Sequence, residues 1–315
     1  MNARYVKGRF DSIAEAVGRT PLVRLRHAAR EAPGVEVYAK LEFANPGGSV
    51  KDRAALRMIT EAMRAGLLDR SKVLIDSTSG NTGVAYSLFG AALGLKVQLV
   101  MPSNVSQARK DIAHAFGTEI IYSDPMEGSD GAIRLVRELV RKDPARYFYP
   151  DQYSNRANPD AHYFGTGPEI LAAVGERLTH FVAGLGTSGT SMGTSRFLRE
   201  YAPHVRSVAV EPDQPMHGLE GLKHMASSLV PAIYDHGLPH EHVGVSTEDG
   251  WDMADRVVAE EGMHVGHSSG ANLFAAVAIA KGLTARGERG CVVAIVCDRG
   301  DRYFAPMKWE KKHAW

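Results

Sequence analysis

The chain is 315 residues long, enough for two modest domains with separate cores. Hydrophobic residues make up 44% and charged ones 23%, a globular balance that excludes a disordered or fibrous chain. With a net charge of +1, no membrane-length apolar run and no signal-peptide core in residues 1–10, nucleic-acid binding and membrane insertion are not expected, and the cytoplasm is the expected compartment.

In chain order, the apolar run 35–43 reads as a strand. It leads into Asn45-Pro46-Gly47-Gly48-Ser49-Val50-Lys51-Asp52-Arg53 and then an amphipathic helix over 49–66. Lys51 is out of place there, because a helix start carries partial positive charge and disfavours a cation. A free amine at such a point can attack an aldehyde and form a Schiff base. For a lysine on its own, an ordinary surface role is the simpler explanation, so the rest of the chain must decide.

Strand-like runs follow at 72–77, 96–102, 119–123, 180–184, 205–211 and 291–297. Helical patterns lie between them at 82–93, 107–116, 131–142, 191–201, 249–261 and 271–283. The alternation predicts an α/β fold with mainly parallel sheets. The aperiodic stretch 142–159 marks a boundary between one sheet built from about 40–150 and another from about 155 onward, with the N-terminal arm packed on it.

Several strand ends carry polar loops, where α/β ligand sites lie. Ser77-Thr78-Ser79-Gly80-Asn81-Thr82-Gly83 offers hydroxyls, an amide and backbone N–H groups at a helix start, a cradle for a carboxylate. A helix cap needs only one such residue. Gly184-Leu185-Gly186-Thr187-Ser188-Gly189-Thr190 spells G-x-G-x-x-G, with Glu211 ending the next strand as a dinucleotide site requires. Its hydroxyls equally suit a cup for one phosphate monoester, and their density favours the cup. Gly266-His267-Ser268-Ser269-Gly270-Ala271 places a serine where it could cap a helix or bond a heteroaromatic nitrogen. In Cys297-Asp298-Arg299-Gly300-Asp301-Arg302-Tyr303 a structural cluster of charges is slightly favoured over a functional one.

Cys291 and Cys297 share one apolar run, about 20 Å apart if extended, too far for a disulfide. The 13 histidines include no H-E-x-x-H, and no metal site is expected. His217, His224 and His267 fall near the loops, where packing roles are the simpler expectation.

Together these motifs resemble the fold-type II pyridoxal-phosphate enzymes, and within them the cysteine synthases, most of all the B-type O-acetylserine/O-phosphoserine sulfhydrylases. The resemblance runs from Gly18-Arg19-Thr20-Pro21-Leu22 to Tyr303. It implies a tryptophan synthase β-like fold of two domains, each a mainly parallel twisted sheet flanked by helices. Residues 40–150 would form a small mobile domain; residues 1–39 and 151–315 would form the large cofactor-binding one. Lys51 would be the Schiff-base lysine and the catalytic base, and Asn81 would lie beside the 3-hydroxyl of pyridoxal 5'-phosphate. Gly186, Thr187, Ser188, Gly189 and Thr190 would hold its phosphate, with Ser188 replacing a more usual glycine. Ser268 would meet its ring nitrogen. Thr78, Ser79, Gly80, Thr82 and Gln152 would hold the substrate carboxylate. Lys223 stands where phosphoserine-preferring relatives carry an arginine that reads the phosphate; it is cationic but lacks the bidentate fork.

The implied reaction is β-replacement through an aminoacrylate. It would form L-cysteine from O-acetylserine or O-phosphoserine and a sulfur donor: sulfide, thiosulfate or a thiocarboxylated carrier protein. A cystathionine β-synthase-like or other β-replacement enzyme is the alternative within this chemistry. A dinucleotide-dependent oxidoreductase built on Gly184, Gly186 and Gly189 is the alternative outside it. A homodimer is implied by the resemblance alone. In some relatives the C-terminal tail enters the active-site cleft, which gives Trp315 a possible regulatory place.

Overall fold

Ten strands form among the described residues and sort into two sheets. The computed structural model describes residues 10–78 and 80–303. The chain opens with β1 (Leu22–Arg24) and β2 (Val35–Leu41), then α1 (Lys51–Arg64). There follow β3 (Val73–Ser77), α2 (Asn81–Leu93), β4 (Lys96–Pro102), α3 (Gln107–Ala115), β5 (Glu119–Ser123), α4 (Gly128–Lys142) and β6 (Tyr147–Phe148). The second half holds α5 (Ala157–Ala161), a π-helical turn (His162–Thr166), α6 (Gly167–Val174), β7 (His180–Gly184), α7 (Gly189–Tyr201) and β8 (Arg206–Pro212). It closes with β9 (Glu241–Val245), α8 (Thr247–Glu261), α9 (His267–Ala285) and β10 (Gly290–Val296).

The larger sheet has the order β1-β2-β10-β7-β8-β9 and the smaller β5-β4-β3-β6. Every pairing is parallel except the β1–β2 edge, as the alternating pattern predicts. β10 reads as a continuous apolar run because both its faces are covered. On one face, Val292, Ala294 and Val296 pack with Leu273, Ala276 and Val277 of α9. On the other, Val293 and Ile295 pack with Ile170 of α6 and Leu198 of α7. The small sheet is clad in the same way. Leu74 and Leu99 meet Met58 and Ile59 of α1 and Phe89 of α2, while Ile75 and Val100 meet Ala132 and Val136 of α4.

The chain crosses between these cores beside Lys51. Val50 is buried in the large-sheet core, with its N–H on Cys297 O at 2.8 Å. Ala54 and Ala55 are buried in the small-sheet core.

Three strands escape the sequence pattern. β1 and β6 are only three and two residues long, and β9 (Glu-His-Val-Gly-Val) is a half-exposed edge with little apolar signal. The stretch 157–174 is helical; only its first residues, 157–159, fall in the aperiodic stretch 142–159, and the sequence pattern assigns no element to the rest. Helices also begin earlier than their hydrophobic pattern: α2 at Asn81, α7 at Gly189 and α9 at His267, rather than at 82, 191 and 271. The polar loops are therefore themselves first helical turns. The two cysteines are free. Among the described residues no helix is long and apolar enough to cross a membrane, and no cluster of side chains could hold a metal ion.

Candidate active site

A cleft of about 1040 Å³ separates the two sheets. Lys51, Thr78, Gly80, Asn81, Thr82, Gln152, Gly186, Thr187, Thr190, Lys223 and Ser268 all line it. Ser188 and Gly189 stand behind its wall, Ser79 lies outside the described residues, and so does the tail with Trp315. Lys51, Asn81, Gly189 and His267 are the first residues of α1, α2, α7 and α9. Four helix starts thus surround one space, each with backbone N–H groups that have no partner within the helix.

Lys51 is half-buried, with its backbone N–H on Ser49 Oγ at 3.2 Å. The helix starts at Lys51, two residues after the start that the pattern predicts at 49. Two residues on, Arg53 locks the loop from below. Its guanidinium reaches Glu42 at 2.6 and 2.9 Å and Glu169 at 2.8 Å through two nitrogens. Glu169 also takes Lys40 at 2.7 Å, and Glu42 takes Thr20 Oγ1 at 2.6 Å and Asn45 Nδ2 at 2.9 Å. Burial alone would raise both carboxyls. Arg53 outweighs it, leaving Glu42 below its usual range and Glu169 at about 2. Two cations and two anions make a closed, neutral cluster.

The Gly186–Thr190 loop, expected to be a phosphate cup, is shaped by close approach. Any Cβ on Gly186 would stand 2.3 Å from Gly221 O, and one on Gly189 would stand 1.9 Å from Asn158 Oδ1. Ser188 adopts φ +67°, the left-handed region where glycine is at ease. That accounts for glycine as the more usual residue there. Its hydroxyl is buried without a partner. Thr187 Oγ1 accepts from Asn158 Nδ2 at 3.2 Å, and the same Nδ2 donates to Gln152 O at 2.7 Å. Thr190 Oγ1 lies 3.3 Å from His162 Nε2, whose ring is set from behind by Thr166 at 2.9 Å. Burial, with Arg53 nearby, pushes His162 down to about 3, so its ring is neutral.

On the opposite wall, Thr82 Oγ1 donates to Gln152 Oε1 at 3.0 Å, which leaves the Gln152 amide N–H groups to donate elsewhere. Ser268 is buried at the start of α9, its Oγ 4.0 Å from where a Gly221 Cβ would be. Lys223 lies 5.1 Å from the Tyr153 ring centroid, and burial lowers its pKa.

Several residues here were missed or under-read. Asn158 and His162 orient the cup, but one lies in the stretch read as a boundary and the other looks like any lone histidine. Arg109 pairs with Glu220 across the cleft and carries no sequence signal at all. Asp298, Arg302 and Tyr303 line the cleft, although a structural role was favoured for the 298–302 charges. The histidines behave as packing groups: His267 stacks on Trp251 with centroids 4.3 Å apart, and His217 and His224 bond local loop atoms. Glu211, which a dinucleotide site would need for ribose, accepts Met225 N–H at 2.8 Å.

Comparison with known proteins agrees with this geometry. Residues 13–298 match the family described as "Pyridoxal-phosphate dependent enzyme". The chain belongs to that family. Among relatives within it, the "Cysteine synthase" of Aquifex aeolicus is 47% identical over 310 residues, covering 98% of this chain and 94% of the relative. "Cysteine synthase B" of Escherichia coli is 38% identical over 304 residues, covering 96% and 98%. In three dimensions the chain is similar to the crystal structure of cysteine synthase (OASS) from Entamoeba histolytica, with a TM-score of 0.90 and 34% identity over 95% of this chain and 90% of that one. The family places this chain among pyridoxal-phosphate enzymes of fold-type II, with its α/β architecture of two parallel sheets.

Proposed function

We propose that this chain forms L-cysteine by pyridoxal 5'-phosphate-dependent β-replacement, from O-acetylserine or O-phosphoserine and a sulfur donor. The observation that carries the reading is the one cleft lined by Lys51, by Thr78, Gly80, Asn81 and Thr82, by Gly186, Thr187 and Thr190, and by Ser268.

The donor set fits the cofactor. The cup joins a helix start to two glycines pressed against neighbours and two threonine hydroxyls, each held from behind. A neutral His162 adds no charge to it. Ser268 would offer the ring nitrogen a hydroxyl rather than a carboxylate, a partner that does not favour its protonation. Bound there, pyridoxal phosphate supplies an aldehyde for an amine and a ring that draws electrons from the α-carbon.

The chain's own residues do the rest. Lys51 Nζ is the amine that would hold pyridoxal phosphate through its aldehyde and give way to the substrate amine. Thr78, Ser79, Gly80, Thr82 and Gln152 grip the substrate carboxylate and so fix the α-carbon. The freed Lys51 amine takes the α-proton as acetate or phosphate leaves Cβ, and returns it after sulfur has added there. Closure of the small-sheet half, from about residue 51 to 150 rather than from 40 because Val50 is buried in the large-sheet core, would keep water out during that interval. Lys223 contributes a cation for a phosphate leaving group. A homodimer is the working form, and the donor is sulfide, which gives L-cysteine directly, or thiosulfate or a thiocarboxylated carrier, whose Cβ adducts yield L-cysteine only after a separate thiol reductant or water cleaves them.

Borohydride treatment of the purified protein is expected to fix pyridoxyl onto Lys51, as read by mass spectrometry. Sulfide, thiosulfate and a thiocarboxylated carrier should each be compared with homocysteine against both activated serines. Homocysteine as the preferred acceptor, or label on another lysine, would overturn the proposal.

A further inference from the structure

Asn81 is gripped at both ends of its amide by the chain segment that follows β10. Its Nδ2 donates to Asp298 Oδ2 at 2.6 Å, and its Oδ1 accepts from Arg302. The carboxylate oxygen it uses also takes the Tyr303 hydroxyl at 2.6 Å. A second Arg302 nitrogen donates to Gly47 O in the loop before Lys51. Asp298 is 1% exposed and its backbone bridges Ser49 of that loop. One short segment of the large-sheet half therefore holds the Lys51 loop and, across the cleft, the first residue of α2.

We propose that Asp298 and Arg302 are positioning residues for Asn81: they fix its amide orientation and set the distance between the Asn81 wall and Lys51. The proposal rests on the reading that Asn81 faces the cofactor's 3-oxygen. A carboxylate on the nitrogen and a guanidinium on the oxygen make an amide flip unfavourable, since reversal would set like poles together at both ends. The carbonamide nitrogen has two hydrogens, and Asp298 takes one. The other would be left as a donor, strengthened by Arg302 on the amide oxygen, for a ring oxygen in the cleft. Asparagine in place of Asp298 or glutamine in place of Arg302 would lose the charge with little change in volume. Charges at these two positions thus have a reason that a solvated turn does not supply.

The test uses full-length protein stripped of cofactor and titrated with pyridoxal phosphate. It follows the visible band, the affinity and the thermal midpoint of the cofactor-free form. Asn81→Ala, Asp298→Asn, Arg302→Gln and the double variants with Asn81→Ala are compared. Each single variant is expected to weaken cofactor binding on the order of tenfold and to shift the band in one common direction. Asp298→Asn or Arg302→Gln added to Asn81→Ala is expected to change affinity and band little further, because the residue they act through is gone. Arg302→Lys is expected to restore part of the wild-type band. If Asn81→Ala shifts the band but Asp298→Asn and Arg302→Gln do not, or if their effects on affinity add fully, the clamp is overturned while the Asn81 reading stands. An unchanged band in Asn81→Ala removes the Asn81 reading and the clamp with it. Should Asp298→Asn fail to fold, Arg302→Gln carries the same comparison.

Discussion

Two polar regions flank Lys51, and they are built on opposite rules. Below it, Arg53, Glu42, Glu169, Lys40, Thr20 and Asn45 pair with one another. Above and around it, the Ser188, Asp298 and Asp52 side chains each keep a buried oxygen without a partner, and so does Asp76 at the root of the anion loop. A closed network makes a platform that cannot shift without exposing a buried charge. An open one costs stability, and of these four residues Asp298 lines the cleft, where a ligand could complete it. Lys51 sits at the seam: its loop belongs to the platform and its helix to the wall that faces the cleft.

The largest expected effect comes from removing the residue at the seam itself. Lys51→Ala should lower turnover on the order of 10⁴-fold while the thermal midpoint stays near wild type, because its side chain supports neither core. A comparable fall in stability would mean that Lys51 belongs to the platform rather than to the chemistry.

Arg53→Met attacks the platform. It leaves Glu42, fully buried, without its cation, and should cost about 3–5 kcal/mol in equilibrium unfolding. Glu42→Gln in the same protein should recover part of that. Near-wild-type stability for Arg53→Met alone would erase the contrast between the two regions.

The same contrast predicts opposite pH limbs. In the platform, Glu169 has its pKa depressed to about 2 against burial, by Arg53 and then Lys40. Its contribution is present above the ordinary carboxylate range and is lost as pH falls through about 2. In the open region, burial pushes Asp76 up to about 7, against the pull of the Ser77 N–H at 2.7 Å. Between its unfolded value near 4 and about 7 the folded state binds more protons than the unfolded one, so stability falls as pH rises through that window. Asp76→Asn should therefore gain on wild type as pH goes from 5 to 8, by a few kcal/mol at most. A gap between the two proteins that does not change with pH would show that folding does not shift the Asp76 pKa.

Much of the open region is legible in the sequence, and little of the platform is. Lys51, Asn81, Thr187 and Ser268 stand out because hydroxyls, amides and glycines cluster after strands, a pattern that packing does not require. The platform draws on Thr20, Lys40, Glu42, Arg53 and Glu169, ordinary residues separated by up to 149 positions (Thr20 to Glu169) and brought together only by the fold. His162 and Asn158 are hidden for the same reason. The helix starts were placed late because hydrophobic periodicity begins only where a helix meets a core. The first turns of α2, α7 and α9 face the cleft instead. Ser188 illustrates the limit in one residue: its left-handed backbone is visible only in three dimensions, although the glycine usual at that position hints at it.

The smallest effect is expected at the cleft mouth, where neither rule is fully applied. Lys223 has a ring beside it rather than a carboxylate pair among the described residues, and burial lowers its pKa. An ammonium in that setting can accept a dianion's charge but offers no fork to orient it. Lys223→Ala should lower kcat/KM for O-phosphoserine about tenfold, roughly the value of one charge-assisted hydrogen bond, and leave O-acetylserine nearly unchanged. Lys223→Arg should raise the phosphoserine preference if the tip of the side chain meets the leaving group. Equal losses on both substrates would place Lys223 with Tyr153 as part of the wall, and the cation would then belong to the platform's logic after all.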